Sequence, residues 1–130
     1  LWSRGLGDVY KRQLVDRWTA TQARRGRTAL PAGTVPDTVA ASTDFGNVSH
    51  LVPGLHPMVQ VSPTDVALHT EDFARWAATP QAVDAAVDSA AGLAQVALDF
   101  LADSDFRRAA QEDFDREGPV SVTDLIAEKG

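Results

Sequence analysis

The apolar positions of this chain recur at helical spacing over most of its length and at strand spacing over one short stretch. Across residues 14–25, Leu14, Val15, Trp18 and Gln22 fall near one face, and Gly26 follows where a left-handed residue would stop the turn. A helix is expected there. The next stretch, TALPAGTVPDTVAA, holds two prolines and a glycine and has no period, so it reads as a crossing from one body to another. Connections of this length usually carry a function. STDFGNVSHLVPG is rich in residues that hydrogen-bond their own backbone, and Ser42 or Thr43 is placed to cap a short helical turn.

Residues 55–61 alternate, with Leu55, Val59 and Val61 on one side and His56, Met58 and Gln60 on the other. That is the period of a strand, and Pro57 pushes its start toward an edge or a bulge. After the loop PTDVALH, Thr70 opens the next helix. Thr79–Pro80 is a second start, a hydroxyl cap followed by proline at the first helical position. From there Val83, Val87, Ala90, Ala94, Ala97 and Leu101 alternate spacings of four and three, while Asp84, Asp88, Gln95, Asp99 and Asp103 share another side. An amphipathic helix of about six turns follows, small enough along its apolar face to lie close on a sheet. Ser104 is expected to cap a last helix carrying Phe106, Ala110 and Phe114 at spacing four, and Gly118–Pro119 ends it. VSVTDLIAEKG reads as a short turn or frayed end.

This inventory is incomplete as an architecture. A lone strand leaves both rows of its backbone groups unpaired. Either the alanine-rich helices form a bundle, or the chain is part of a larger α/β domain, and the second explains more.

The 130 residues amount to about one domain, with 44% apolar residues to build a core and no cysteine for disulfides, thiolate zinc sites or thiol catalysis. The longest apolar stretch, residues 83–101, carries Asp84, Asp88 and Asp99, which at about 3 kcal/mol each argue against a membrane span. The formal charge of −6 is unevenly spread. Residues 1–27 hold Arg4, Lys11, Arg12, Arg17, Arg24, Arg25 and Arg27 against Asp8 and Asp16. A basic arm of this kind can meet nucleic acid, but arginines along one short helix are more often a solvated face, and the acidic body opposes polyanions. No nucleic-acid partner is expected.

Candidate chemistry is sparse. His50, His56 and His69 form no helical zinc motif, and neither a serine nucleophile elbow nor a glycine-rich phosphate loop occurs. His69 is the best placed, because it follows the strand and loop and directly precedes a helix cap, where open α/β sheets collect ligands.

ASTDFGNVSHLVPGLHP, with LHTEDF placing His69 thirteen residues after His56, resembles the C-terminal catalytic segment of the M-twenty zinc metallopeptidases and amidohydrolases. More narrowly, it is similar to the branch of p-aminobenzoyl-glutamate hydrolase and the aminoacylase-like dipeptidases, over about residues 14–114. The resemblance implies an α/β fold, the C-terminal part of an α/β/α zinc-peptidase catalytic domain, mostly helical in this chain with one or two strands. His69 would be the last protein ligand of a two-zinc centre. Ser42, Thr43, Asp44, Gly46 and Asn47 would line the pocket around the carboxylate or amide of a small amide or dipeptide substrate. For Asp44 and Asn47 a self-capping turn is an equal alternative. His56 would support the site without binding metal, and His50 has no assigned role. The two metals of such a centre activate a bridging water and polarise the scissile carbonyl. The general base and remaining ligands would lie upstream, so no catalytic residue is expected here.

The resemblance also divides the chain: residues 14–27 as the end of a lid domain used for homodimerisation, 28–41 as the return crossover, 42–117 as catalytic domain, 118–130 as tail. Residues 1–13, LWSRGLGDVYKRQ, contain no signal-peptide core and resemble translated sequencing-adapter read-through, so a non-native leader is expected. Cytoplasmic location suits the absence of cysteine and export signal. Two alternatives stand beside the hydrolase: a non-catalytic helical module using residues 83–101 to bind a partner helix, and a catalytically dead member of the same fold.

Overall fold

The computed structural model describes residues 12–29, 45–117 and 122–127. Their order is α1 (Arg12–Ala23), α2 (Phe45–Val48), α3 (Glu71–Ala77), α4 (Pro80–Ala102), α5 (Ser104–Glu117) and α6 (Val122–Ala127). The described residues are helical, as expected for most of this chain, and no strand occurs among them, so the one or two strands of the α/β expectation are not seen there. Residues 55–61 have the facing pattern of a strand without its ladder. Leu55 and Val59 pack against the core while Met58 and Gln60 are exposed. Alternation fixes which side chains turn inward; pairing needs a second strand, and none occurs among the described residues.

Local chemistry sets the helix ends. At the end of α1, Gly26 has φ 76, its N–H donates to the Ala23 carbonyl at 3.0 Å, and the Arg27 N–H donates to the Gln22 carbonyl at 3.0 Å. This pair of bonds closes the turn around a left-handed residue. Thr79 Oγ1 accepts from the Ala82 N–H at 3.3 Å, with Pro80 at the first helical position. The start of α5 differs from expectation, since Asp103 and not Ser104 is its cap. One Asp103 oxygen accepts from the Asp105 and Phe106 N–H groups, both at 3.0 Å. The Asp103 N–H also donates to the Asp99 carbonyl at 2.8 Å, so one residue ends α4 and starts α5. Arg107 donates to the Phe100 and Leu101 carbonyls at 2.9 and 3.1 Å, satisfying the last turn of α4.

α1, α4 and α5 pack together around Leu14, Trp18, Val96, Phe106 and Ala110, with Leu55, Val59 and Phe100 against this core. Phe100 and Phe106 meet edge to face at 6.3 Å. Phe114, also buried, completes the spacing-four stripe of α5. Asp113, buried on α5, accepts the Gln13 N–H at 3.0 Å and so caps the first turn of α1 from a hundred residues away. The division into lid, crossover and catalytic segments falls partly on residues 30–44, and the leader expected over residues 1–13 falls mostly on residues 1–11; residues 1–11 and 30–44 lie outside the described residues, while Arg12 and Gln13 open α1.

The basic residues near the start are spent on α4. Arg25 and Arg27 hold the two Asp88 oxygens at 2.9 and 2.8 Å. Arg17 reaches Asp99 at 2.9 Å and Asp103 at 3.5 Å, with its guanidinium 4.2 Å from the centre of the Phe106 ring. The acidic side of α4 therefore turns toward α1. The residues of α4 that bury are Ala82, Ala85, Gly92 and Val96, while Val83, Val87 and Leu101, expected on the packing face, are exposed.

The Arg27 and Arg25 guanidiniums hold the Asp88 carboxyl below the ordinary carboxylate range, and the Phe106 N–H does the same for Asp103, against the opposing effect of burial. Both groups have folded pKa values below their unfolded ones, so each stabilises the fold above about pH 4 and loses that contribution as pH falls further. Thermal melts should be flat from pH 7 to pH 5 with respect to these pairs and decline in more acidic solution. Asp88→Asn should melt lower at pH 7 and show a shallower acid decline; an unchanged acid limb would remove the clasp from the account.

Candidate functional site

The site residues expected from the sequence fall on two separate turns. The first is α2, a four-residue turn bearing Gly46 and Asn47. Ser42, Thr43 and Asp44 lie outside the described residues. Asn47 presents an exposed side chain, and its carbonyl accepts the His50 N–H at 3.4 Å. What holds α2 in place is Phe45, whose ring stacks on the His56 imidazole at 5.1 Å and 25°. A Cβ on Gly54 would stand 2.7 Å from Phe45 Cζ, so glycine is what lets the 54–56 backbone approach the ring. His56 thus meets the turn through a stack. Phe45 and Gly54 were not among the candidate residues. Their signal is weak in sequence, a lone aromatic and a lone glycine nine residues apart.

The second turn carries His69. Its side chain is exposed, and its backbone sits at φ 63, the one non-glycine residue with positive φ among those described. Histidine reaches this region at a cost of about 1–3 kcal/mol, a strain that clusters at functional sites. The next residue locks the geometry. Thr70 is extended, its hydroxyl donates to the Ala67 carbonyl at 2.7 Å and accepts the Phe73 N–H at 3.2 Å, and α3 begins. Glu71 and Asp72, in the first turn of α3, are paired with Arg75 at 3.5 and 2.6 Å. The imidazole is therefore carried outward on a fixed backbone beside a capped helix.

Among the described residues no group of three or more histidine, aspartate or glutamate side chains is arranged to hold a metal ion. The residues described here do not make a zinc centre by themselves. Among them His69 is the one exposed histidine.

Comparison with known proteins gives a partial similarity. Human Xaa-Arg dipeptidase is 36% identical over 75 residues, covering 58% of this chain and 17% of that protein. Mouse Xaa-Arg dipeptidase is 32% identical over 93 residues, covering 72% of this chain and 21% of that protein. The chain spans about a fifth of the length of these curated relatives. No family model matches the chain. No solved structure matches it either. The similarity supports a dipeptidase-like origin.

Proposed function

We propose that this chain is the C-terminal part of a metal-dependent dipeptidase or amidohydrolase. Its substrate would be a small carboxylate-bearing amide, of the N-acyl amino acid or dipeptide type. The observation that carries the reading is His69, an accessible imidazole on a strained backbone immediately before a helix cap. The similarity to Xaa-Arg dipeptidases over part of the chain supports the same reaction class.

In this reading His69 supplies one ligand of a centre that holds two zinc ions in the complete protein. Zinc there would polarise the scissile carbonyl and activate water near neutral pH. The segment Ser42, Thr43, Asp44, Gly46 and Asn47 borders the substrate, and the Phe45–His56 stack holds the turn that bears Gly46 and Asn47. The general base and the other ligands come from outside this chain, so the chain alone is inactive. A cytoplasmic homodimer joined through a lid domain completes the proposal.

The test is metal content. Zinc in the complete protein should measure about two per chain and fall in His69→Ala. Replacing His69 with glycine should remove the metal equally while melting above His69→Ala, because glycine accepts the left-handed backbone and alanine does not. Metal content unchanged in both variants rejects the assignment. The alternative, a non-catalytic helical interaction module, is favoured by one observation, the exposed apolar side of α4.

A further inference from the structure

The Thr70 hydroxyl makes two hydrogen bonds that reach to opposite sides of the residue before it. It accepts the Phe73 N–H at 3.2 Å, which starts α3, and it donates to the Ala67 carbonyl at 2.7 Å. One hydroxyl can do both, since it holds one proton and two lone pairs. The bonds differ in what they span. The bond to Phe73 lies wholly after His69, whereas the bond to Ala67 encloses Leu68 and His69, the middle residues of the turn. A bond that encloses a residue restrains its backbone dihedrals; one that lies beyond it does not. His69 needs such restraint. It holds φ 63 at the third place of the turn, where positive φ ordinarily calls for glycine or asparagine.

We infer that Thr70 is a positioning residue for the His69 imidazole, acting through the bond that its hydroxyl donates to the Ala67 carbonyl and not through its cap on α3. The inference rests on the proposed function, because the direction of the ring matters to a ligand and not to a solvated side chain. Without the enclosing bond, His69 returns to negative φ and its Cβ leaves the backbone in another direction. The ring goes with it. Groups that orient a metal-binding imidazole set its affinity as much as its presence does.

Thr79 supplies the comparison within the same chain. Its hydroxyl makes the same two kinds of bond, donating to the Trp76 carbonyl at 2.7 Å and accepting the Ala82 N–H at 3.3 Å. There the Thr79 N–H also donates to the Trp76 carbonyl, at 3.1 Å, and the enclosed Ala78 has an ordinary φ of −91. The turn before α4 is thus closed by its backbone, and the donated hydroxyl bond is redundant. The turn before α3 is closed through the side chain, around a residue that resists its own conformation.

Three substitutions separate the two bonds. Thr70→Ser keeps both. Thr70→Asp caps α3 at least as well but has no proton to donate at neutral pH, and Thr70→Val keeps neither bond. In the 130-residue chain, NMR reads the His69 backbone from the cross-peak between its own amide and α protons, which lie closest at positive φ. That cross-peak should stay strong in Thr70→Ser and weaken severalfold in Thr70→Asp and Thr70→Val. In the complete protein, zinc affinity should hold in Thr70→Ser and fall about 10–100-fold in Thr70→Asp, as for other groups that orient a ligand. The added carboxylate attracts a cation, so its charge does not account for such a loss. Thr79→Asp should change neither reading. A His69 cross-peak that stays strong in Thr70→Asp overturns the positioning role. So does zinc affinity that is unchanged in Thr70→Asp and lost in His69→Ala, and both results leave the dipeptidase reading standing. Zinc retained in His69→Ala withdraws that reading and the role of Thr70 with it.

Discussion

Trp18→Ala should remove most of the stability of this fold. Trp18 is 6% exposed and sits in the core formed with Leu14, Val96, Phe106 and Ala110, where α1 crosses α4. Truncating a buried tryptophan costs about 3–5 kcal/mol, the lost transfer free energy plus the cavity its neighbours fail to fill. Against a total of about 5–15 kcal/mol for a domain, that is decisive. It is more so here because no large side chain among the described residues is buried below 2% exposure, which leaves little other core to compensate. In a chain of this size the melting temperature should drop by about 12–20 °C. Trp76→Ala is the matched control. Trp76 is 38% exposed on α3, which buries no residue, so its loss should change stability by less than about 1 kcal/mol. Equal melting of the two variants would show that α1 is not docked as described.

Much of this arrangement is written in local chemistry, and that part reads from sequence. Gly26 ends α1 because glycine alone adopts φ 76 without strain; Thr70 and Thr79–Pro80 start helices because hydroxyls cap free N–H groups wherever they occur. Phe106, Ala110 and Phe114 are all buried, as their spacing requires. The cap of α5 slipped by one residue because Asp103 and Ser104 are both good caps, and the choice between them depends on where α4 stops. Residues 55–61 kept the facing of a strand and lost the ladder, since facing is intrinsic to an extended chain and pairing is not. The buried side of α4 was illegible for a similar reason. With apolar residues on two sides, the periodicity marks a helix but not which side meets α1, and the arginine pairs with Asp88 and Asp99 decide it.

The site divides the same way. His69 stood out by its place before a cap, and the structure adds what no pattern of residue types encodes, a left-handed backbone that carries its ring outward. The Phe45 ring on His56 is a contact between residues eleven apart, one on α2 and one in the irregular segment after it, and it depends on the missing side chain of Gly54. Sequence reasoning counts the residues that bear chemistry; it passes over the glycine whose emptiness positions them.

Gly92 is a second such position, and its substitution has the other large expected effect. A Cβ on Gly92 would stand 2.7 Å from Thr21 Oγ1 and 2.8 Å from the Trp18 ring, and would collide with the Gln22 amide. None of the three can easily step aside. The Trp18 ring is packed into the core, the Thr21 hydroxyl donates to the Trp18 carbonyl at 2.7 Å, and the buried Gln22 amide donates to the Asp88 carbonyl at 3.2 Å. Alanine should gain about 1 kcal/mol of helix propensity at this mid-helix position. Overpacking costs about 1–3 kcal/mol, and loss of the bond to Gln22 about 1 kcal/mol more. The steric term wins, so Gly92→Ala should lower the denaturation midpoint although it improves the helix. Gly92→Leu exceeds what a small shift of α1 can absorb and should separate α1 from α4, abolishing a single cooperative transition. Ala94→Gly, on the exposed side of the same helix, isolates propensity and should cost about 1 kcal/mol with cooperativity intact. If Gly92→Ala instead raises the midpoint, α1 and α4 do not approach as closely as this packing requires, and the Trp18 prediction falls with it, because both depend on the same crossing.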